Sequence, residues 1–124
     1  MEKKKILIVD DEEDIVFAIR LSLKAKDYEV FVGYNGQEAL DKVRLNKPDL
    51  IILDLMLPKV DGYKVCRILK FDTKYKNIPV IILTARAQEK DRALAQEVGA
   101  DDFITKPFES KVLLEKIQKL LGDS

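Results

Sequence analysis

Short runs of consecutive apolar residues recur along the chain and predict β-strands that are buried on both faces. Runs such as Ile51-Ile52-Leu53 lack the polar alternation of a strand with one face in water, which is typical of a parallel sheet covered by helices. The predicted strands are residues 5–9, 28–32, 50–53, 80–83 and the shorter 102–105.

Between the strands, apolar residues recur at the spacing of amphipathic helices. This spacing is carried by Ile15, Ile19 and Leu23, by Val65, Ile68 and Leu69, and by Leu113, Ile117, Leu120 and Leu121. Two further helices are expected at residues 36–45 and 90–98. Five strand–helix units in succession imply right-handed crossovers. We therefore expect one α/β domain over residues 1–124, a three-layer αβα sandwich around a five-stranded parallel sheet in the order 2-1-3-4-5.

Composition excludes several classes of function. The 22 basic and 22 acidic residues cancel without forming a block of one sign, so we expect no direct binding of nucleic acid by this chain. The chain has no histidine and one cysteine, Cys66, which excludes Ser-His-Asp and Cys-His catalysis and a zinc site. Cys66 lies in a helical pattern, where a buried small side chain is expected. Apolar runs are too short for a signal peptide or a membrane span, which predicts a cytoplasmic protein.

Acidic residues follow two of the predicted strands, at the sheet edge where ligands bind in this architecture. Asp10 and Asp11 come after the first strand, and Asp54 comes after the third. Two like charges about 5 Å apart repel by about 3 kcal/mol at an effective dielectric constant of about 20, so the cluster favours a bound cation. A hard divalent cation prefers such oxygen ligands. Thr84 and Lys106 follow two other strands, which indicates a site that handles phosphoryl groups.

Each of these residues also has an ordinary structural interpretation. Asp10 and Asp11 could begin a helix, because acidic residues favour a helix N-terminus. Thr84 could cap the fourth helix, and Lys106 could be one of many exposed lysines. Asp54 has no helix to cap immediately, and all these residues fall at carboxyl ends of strands. Their common position favours the functional interpretation.

The complete set of motifs resembles the bacterial two-component response-regulator receiver domain, of the kind found in chemotaxis regulators. The matching segments are Asp10-Asp11, Asp54 with Met56-Leu57-Pro58 and Asp61-Gly62, Thr84-Ala85, Gly99-Ala100-Asp101-Asp102-Phe103 and Lys106-Pro107-Phe108. They cover essentially the whole chain in the order and spacing of the family, which has a flavodoxin-like fold.

The resemblance implies a role for each site residue. Asp54 is expected to be the phosphoacceptor, and Asp10, Asp11, Asp54 and the backbone carbonyl of Met56 are expected to hold Mg²⁺, with Asp10 acting through a water molecule. Lys106 is expected to neutralise charge on the phosphoryl oxygens. The family also has a cis peptide bond before the proline that corresponds to Pro107, which would aim the preceding lysine into the site.

The resemblance further implies a conformational switch. Thr84 is expected to bind the phosphoryl group, and Phe103 to turn inward as Thr84 moves. Many relatives have tyrosine in place of Phe103, so signalling that needs its hydroxyl group is absent here. Charged residues of the fourth helix, fifth strand and fifth helix occupy positions used for homodimerisation in transcription-factor receivers, although a solvated charged face is an equally good interpretation: Arg92, Asp101, Asp102 and Lys116.

We therefore expect a phosphoacceptor domain that catalyses only its own phosphorylation and dephosphorylation. Its partners are expected to be a sensor histidine kinase or a histidine phosphotransfer protein, and a downstream output protein or a fused effector domain. One alternative is a pseudo-receiver that serves as an interaction scaffold. A less favoured alternative is a phosphohydrolase of the haloacid-dehalogenase type, which carries a second Asp where Met56 stands here.

Overall fold

A computed structural model describes residues 2–122 of the chain as five strands that alternate with five helices. The predicted domain, 1–124, also includes Met1, Asp123 and Ser124, which lie outside the described residues. The strands are β1 (Lys5–Val9), β2 (Glu29–Gly33), β3 (Leu50–Leu53), β4 (Val80–Thr84) and β5 (Asp102–Thr105). The helices are α1 (Glu13–Ala25), α2 (Gly36–Asn46), α3 (Gly62–Lys70), α4 (Glu89–Glu97) and α5 (Ser110–Leu121).

The strands form one parallel sheet in the order β2-β1-β3-β4-β5, as predicted. Strand β1 lies at the centre of the topological switch, because it pairs with β2 on one side and with β3 on the other. Val9 is in register with both Gly33 and Leu53. The residues that follow these strands are therefore brought to one edge of the sheet.

Alternate residues of each strand point to two separate apolar cores. One core joins Leu7, Ile51 and Ile82 to side chains of α2, α3 and α4. The other joins Ile6, Ile52 and other strand residues to α1 and α5. This double burial explains why the strands read as continuous apolar runs, and it gives the predicted three-layer sandwich. Cys66 is fully buried in the first core, as expected.

Most predicted boundaries agree with the structure to within one residue, and one face assignment is wrong. Strand β2 is displaced by one residue from the predicted 28–32, and β4 includes Thr84. Ile68, which was predicted to belong to the apolar face of α3, is 41% exposed. Val65, Cys66 and Leu69 already fill the side of α3 that faces the sheet, so Ile68 lies outside it.

The cis peptide bond that the family resemblance implied is present between Lys106 and Pro107. Gly99, which follows α4, has a backbone φ of +91°, a conformation that glycine adopts readily after a helix end.

Among residues 2–122, the structure contains no helix that is both long enough and apolar enough to cross a membrane.

Candidate functional site

Asp10 and Asp54 lie side by side at the carboxyl edge of the sheet. The parallel ladder continues beyond β1, because the Asp54 N–H donates to the carbonyl of Val9 at 3.0 Å and the Asp10 N–H donates to the carbonyl of Gly33 at 3.1 Å. Both residues are buried, with 2% of the whole Asp10 residue and 3% of the whole Asp54 residue exposed. The sheet register alone therefore places two carboxylates together, as the sequence predicted.

The ammonium group of Lys106 is at the centre of this acidic cluster. Backbone pairing positions it, since the Lys106 N–H donates to the carbonyl of Thr84 at 2.8 Å, at the end of β4. Its Nζ lies 2.7 Å from Asp10 Oδ2, 2.9 Å from Asp54 Oδ2 and 3.0 Å from Glu12 Oε1. One positive charge is thus shared among three carboxylates, and a net negative charge remains.

The third carboxylate of the cluster is Glu12, which the sequence analysis did not assign to the site. Asp10, Glu12 and Asp54 each offer an oxygen within 4.8 Å of the others. Asp11 is exposed and does not belong to this group. The Glu12 N–H donates to Asp10 Oδ1 at 2.9 Å, and this turn precedes α1. This turn depends on the Asp10 side chain and the backbone at position 12, so no local pattern indicated that the Glu12 side chain would join the site.

Asp54 is held on both of its carboxylate oxygens. The backbone N–H of Met56 donates to Oδ1 at 3.0 Å, while Lys106 contacts Oδ2. The Met56 side chain is 56% exposed. Gly62 N–H donates to the Leu55 carbonyl at 3.1 Å, and a Cβ on Gly62 would overlap the carbonyl oxygen of Asp54. The absence of a side chain at Gly62 therefore lets α3 begin directly against the loop that carries Asp54.

Burial and charge act in opposite directions on the groups of the site. Burial raises the pKa of Asp10, and the Asp54 carboxylate raises it further, although hydrogen bonds from Lys106 and the Glu12 N–H oppose this shift. Burial alone would lower the pKa of Lys106. Its hydrogen bonds to Asp10, Asp54 and Glu12 outweigh burial and hold that pKa above the usual value. The Lys106 ammonium therefore stays charged, but its single positive charge does not balance the negative charge of the three carboxylates.

Thr84 and Phe103 lie on the neighbouring strands. Thr84 is fully buried, and its Oγ1 accepts a hydrogen bond from the Arg86 N–H at 3.2 Å. The partly buried ring of Phe103 packs against the core, and the guanidinium carbon of Arg92 lies 4.7 Å from the ring centroid. Arg92 also donates to Thr105 Oγ1 at 2.8 Å. The aromatic side chain at position 103 is thus covered by a cation from α4.

The donor set suits a hard divalent cation. Three carboxylates that converge on one edge supply the oxygen ligands that Mg²⁺ prefers, and their excess negative charge is what such an ion would neutralise. Asp10 and Asp54 are the predicted ligands that the structure brings together. Asp11 lies next to them in sequence, while Glu12 is the additional oxygen donor.

Comparison with known proteins gives the family. The model of the response regulator receiver domain matches residues 6–118. The chain belongs to this family. A curated relative of the receiver domain is the alkaline phosphatase synthesis transcriptional regulatory protein PhoP of Bacillus subtilis (strain 168), which is 44% identical over 121 residues. That alignment covers 98% of this chain and 50% of PhoP, so the chain spans about half the length of this relative.

Solved structures show the same fold. A CheY-like response regulator receiver domain protein from Methanospirillum hungatei JF-1 is 29% identical with a TM-score of 0.92, covering 98% of this chain and 95% of the other. The receiver domain of the sensor histidine kinase PA1611 from Pseudomonas aeruginosa PAO1 is also 29% identical, with a TM-score of 0.89 and coverage of 98% and 100%. That structure has a magnesium ion coordinated in its active-site cleft.

In this receiver domain, the charges considered for dimerisation all have partners within the chain. Lys116 Nζ lies 3.0 Å from each carboxylate oxygen of Asp102. Asp101 pairs with Lys70 at 2.8 Å and also accepts the Val80 N–H. Arg92 is engaged by Phe103, as described above. A homodimer through this face would have to exchange these contacts for intermolecular ones.

Proposed function

We propose that Asp54 accepts a phosphoryl group from the phosphohistidine of a sensor histidine kinase or a histidine phosphotransfer protein. The observation that supports this most directly is the position of Lys106, whose ammonium lies between Asp54 and the neighbouring carboxylates. An isolated structural ion pair needs only one carboxylate, whereas transfer of a phosphoryl group needs a nucleophilic oxygen beside several groups that manage negative charge.

The chemistry assigned to the chain is a displacement at phosphorus. A carboxylate oxygen of Asp54 forms a bond to phosphorus as the bond between phosphorus and the histidine nitrogen breaks, and the imidazole leaves with that electron pair. The Met56 N–H orients the Asp54 carboxylate, and Lys106 neutralises charge on the phosphoryl oxygens. Hydrolysis of the resulting acyl phosphate resets the domain, so the chain turns over only its own phosphoryl group.

We assign Mg²⁺ to the acidic cluster as the cofactor of this reaction. Asp10 and Asp54, with Asp11, Glu12 and the carbonyl of Met56 as the adjoining oxygen donors, are the residues that would hold it. When bound, the ion supplies electrostatic stabilisation of the transferring phosphoryl group. The magnesium ion in the PA1611 receiver domain supports this assignment.

Output is assigned to the face formed by α4, β5 and α5. Phosphorylation adds about two negative charges at Asp54, which follows β3, the neighbour of β4. Thr84 ends β4 and accepts the N–H of Arg86, in the segment that leads into α4. The relative PhoP is a transcriptional regulatory protein about twice as long as this chain, which supports a fused effector domain as the receiver of the signal, with a separate output protein as the alternative. We assign the chain to the cytoplasm, where such partners meet it.

Acetyl phosphate with Mg²⁺ tests the central assignment. The intact mass should rise by one phosphoryl group in the wild type and in the control variant Asp41→Asn, whose carboxylate is exposed on α2. Asp54→Asn should gain none. Equal labelling of Asp54→Asn would contradict the assignment, and failure of the wild type to label would favour the pseudo-receiver scaffold.

A further inference from the structure

A groove of about 720 Å³ lies between α3 and α4, on a different side of α4 from the Arg92–Phe103 contact. Its volume falls within the range of about 300–1,000 Å³ that is typical of ligand sites. Three apolar side chains that line it are exposed: Ile68 by 41%, Phe71 by 76% and Leu94 by 37%. Apolar exposure that converges on one concave surface indicates a binding site more strongly than single exposed residues do.

The edge of the groove carries two cationic side chains that form no ion pair within the described part of the chain. Lys64 and Arg67 line it at helical spacing on α3, and within residues 2–122 neither has a carboxylate at ion-pair distance. Arg67 lies over the Phe71 ring at 5.9 Å and remains exposed. The carboxylate of Asp61, also at the groove, already accepts the Lys64 N–H at 2.9 Å as the cap of α3.

This local excess is not a consequence of overall charge. The whole chain has a formal net charge of zero. The neighbouring Lys70, by contrast, is almost covered and pairs with Asp101. An occupant of the groove is therefore selected by two properties, apolar side chains for the floor and carboxylates for the Lys64–Arg67 edge.

We propose that the α3–α4 groove is a docking site for an amphipathic helix of a partner protein, with acidic residues beside its apolar stripe. Two neighbouring helices with a trough between them accept a third helix, whose side chains at i, i+3, i+4 and i+7 fill the trough. A nucleic acid is disfavoured as the occupant because the floor of the groove is apolar. A basic peptide is disfavoured because the edge of the groove is already cationic. Binding does not require phosphorylation of Asp54.

The test uses the unmodified chain and two synthetic helical peptides of about 16 residues with the same leucine stripe, one with glutamates and one with lysines beside it. When the glutamate peptide is titrated into isotope-labelled protein, the NMR signals of residues 61–71 and 94–98 should shift. Phe71→Ser and the double variant Lys64→Glu/Arg67→Glu should each lower the affinity for this peptide by about tenfold. The double variant should in turn bind the lysine peptide more tightly.

Phe17→Ser is the matched control, because Phe17 is also an exposed aromatic residue, at 63%, but lies on α1. It should leave both affinities unchanged. The proposal is overturned if the two peptides bind the wild type equally, if no signal moves, or if Phe71→Ser has no effect. It is also overturned if dilution of the chain alone shifts the same signals, because the groove is then covered by a second copy of the chain.

Discussion

At the scale of single residues, the charge balance of the acidic cluster depends on the ammonium group of Lys106. Its side chain is 7% exposed, and the two carboxylates of Asp10 and Asp54 beside it are 3% and 4% exposed. Buried charges of this kind are tolerated only while each has a partner, because water is excluded from their surroundings. Lys106 therefore stabilises the domain independently of the proposed phosphorylation.

Lys106→Met tests this role, since methionine keeps most of the apolar stem and removes the charge. Without metal, the variant should lose about 3–5 kcal/mol of unfolding free energy, because Asp10 and Asp54 are left buried and unpaired. Denaturant titration in the presence of EDTA measures this loss. Added Mg²⁺ should restore part of it, because a bound cation compensates the same carboxylates.

Lys116→Met is the matched control for this variant. Lys116 also pairs with an aspartate, Asp102, but about a third of each side chain is open to solvent. Its loss should cost only about 0–1 kcal/mol. Equal losses in the two variants would show that burial of the Lys106 cluster does not have the energetic weight assigned to it.

At the scale of elements, α3 and α4 are joined by a buried carboxylate. Asp91, 2% exposed near the start of α4, accepts a hydrogen bond from the Tyr63 hydroxyl of α3 at 2.9 Å. It also accepts the Gln88 N–H at 3.1 Å and lies 2.9 Å from Arg86 Nε. Tyr63 is distant from Asp91 in sequence, whereas Arg86 and Gln88 belong to the segment just before α4, so one carboxylate ties α4 both to α3 and to the loop after Thr84.

This junction predicts a loss of stability in alkali. Burial, together with the hydrogen bond to Asp91, raises the pKa of Tyr63 from 10.0 to about 12. A raised pKa favours the neutral phenol in the folded state, so the stabilisation is complete below pH 10 and falls as the pH rises toward 12. The unfolding free energy of the wild type should decline over this interval more steeply than that of Tyr63→Phe.

Tyr34→Phe provides the comparison for the alkaline measurement, because Tyr34 is 40% exposed and lies outside the junction. Its decline should follow that of the wild type. Denaturant midpoints measured at several pH values decide the matter, and identical slopes for Tyr63→Phe and wild type would contradict the predicted coupling between α3 and α4.

The same carboxylate predicts the behaviour in acid. Hydrogen bonds from Tyr63 and the Gln88 N–H, with the charge of Arg86, outweigh burial and lower the pKa of Asp91 below 3.8. A lowered pKa means that the stabilisation is present above pH 3.8 and is lost as the pH falls through the lower folded-state value. Amide exchange in α4 of the wild type should accelerate in that range, whereas Asp91→Asn should show no such acid-dependent step.

At the scale of the whole molecule, the sheet connects Asp54, the proposed phosphoacceptor, to the proposed output face. Thr84 ends β4, which pairs directly with β5, and Thr84 is in register with Thr105. Shifting an equilibrium between two conformations from about 1:99 to about 99:1 requires about 5.5 kcal/mol. A doubly charged phosphoryl group that contacts Lys106 and a metal ion would supply free energy of this size. The conformational change should therefore extend from Thr84 along β4 and β5 to α4.

Beryllofluoride with Mg²⁺, a mimic of the phosphoryl group, tests this transmission. NMR shifts should be large for residues 85–98 and 102–108 as well as around Asp54, because the segments after Thr84 rearrange when its hydroxyl binds the mimic. In Thr84→Ala, which keeps the acidic cluster, the changes should stay confined to residues 10–12 and 54–62. Equal responses of α4 in both proteins would exclude Thr84 as the coupling residue.

The sequence by itself determined the order of the elements and predicted that Asp54 and Lys106 meet at one edge of the sheet. Buried strands and amphipathic helices have short-range periodicity, so the order of elements could be predicted from local patterns. Asp54 and Lys106 could be assigned because carboxyl ends of parallel strands share one edge of the sheet, whatever the details of packing.

Only the tertiary structure decided which neighbouring side chains join those residues. Glu12 joins the cluster through its contact with Lys106, a residue far away in sequence, whereas Asp11 is exposed. Ile68 remains outside because the core side of α3 is already full, and this leaves an apolar groove that helical spacing alone cannot distinguish from core. Contacts between residues far apart in sequence depend on the packing of the complete sheet, which no local pattern encodes.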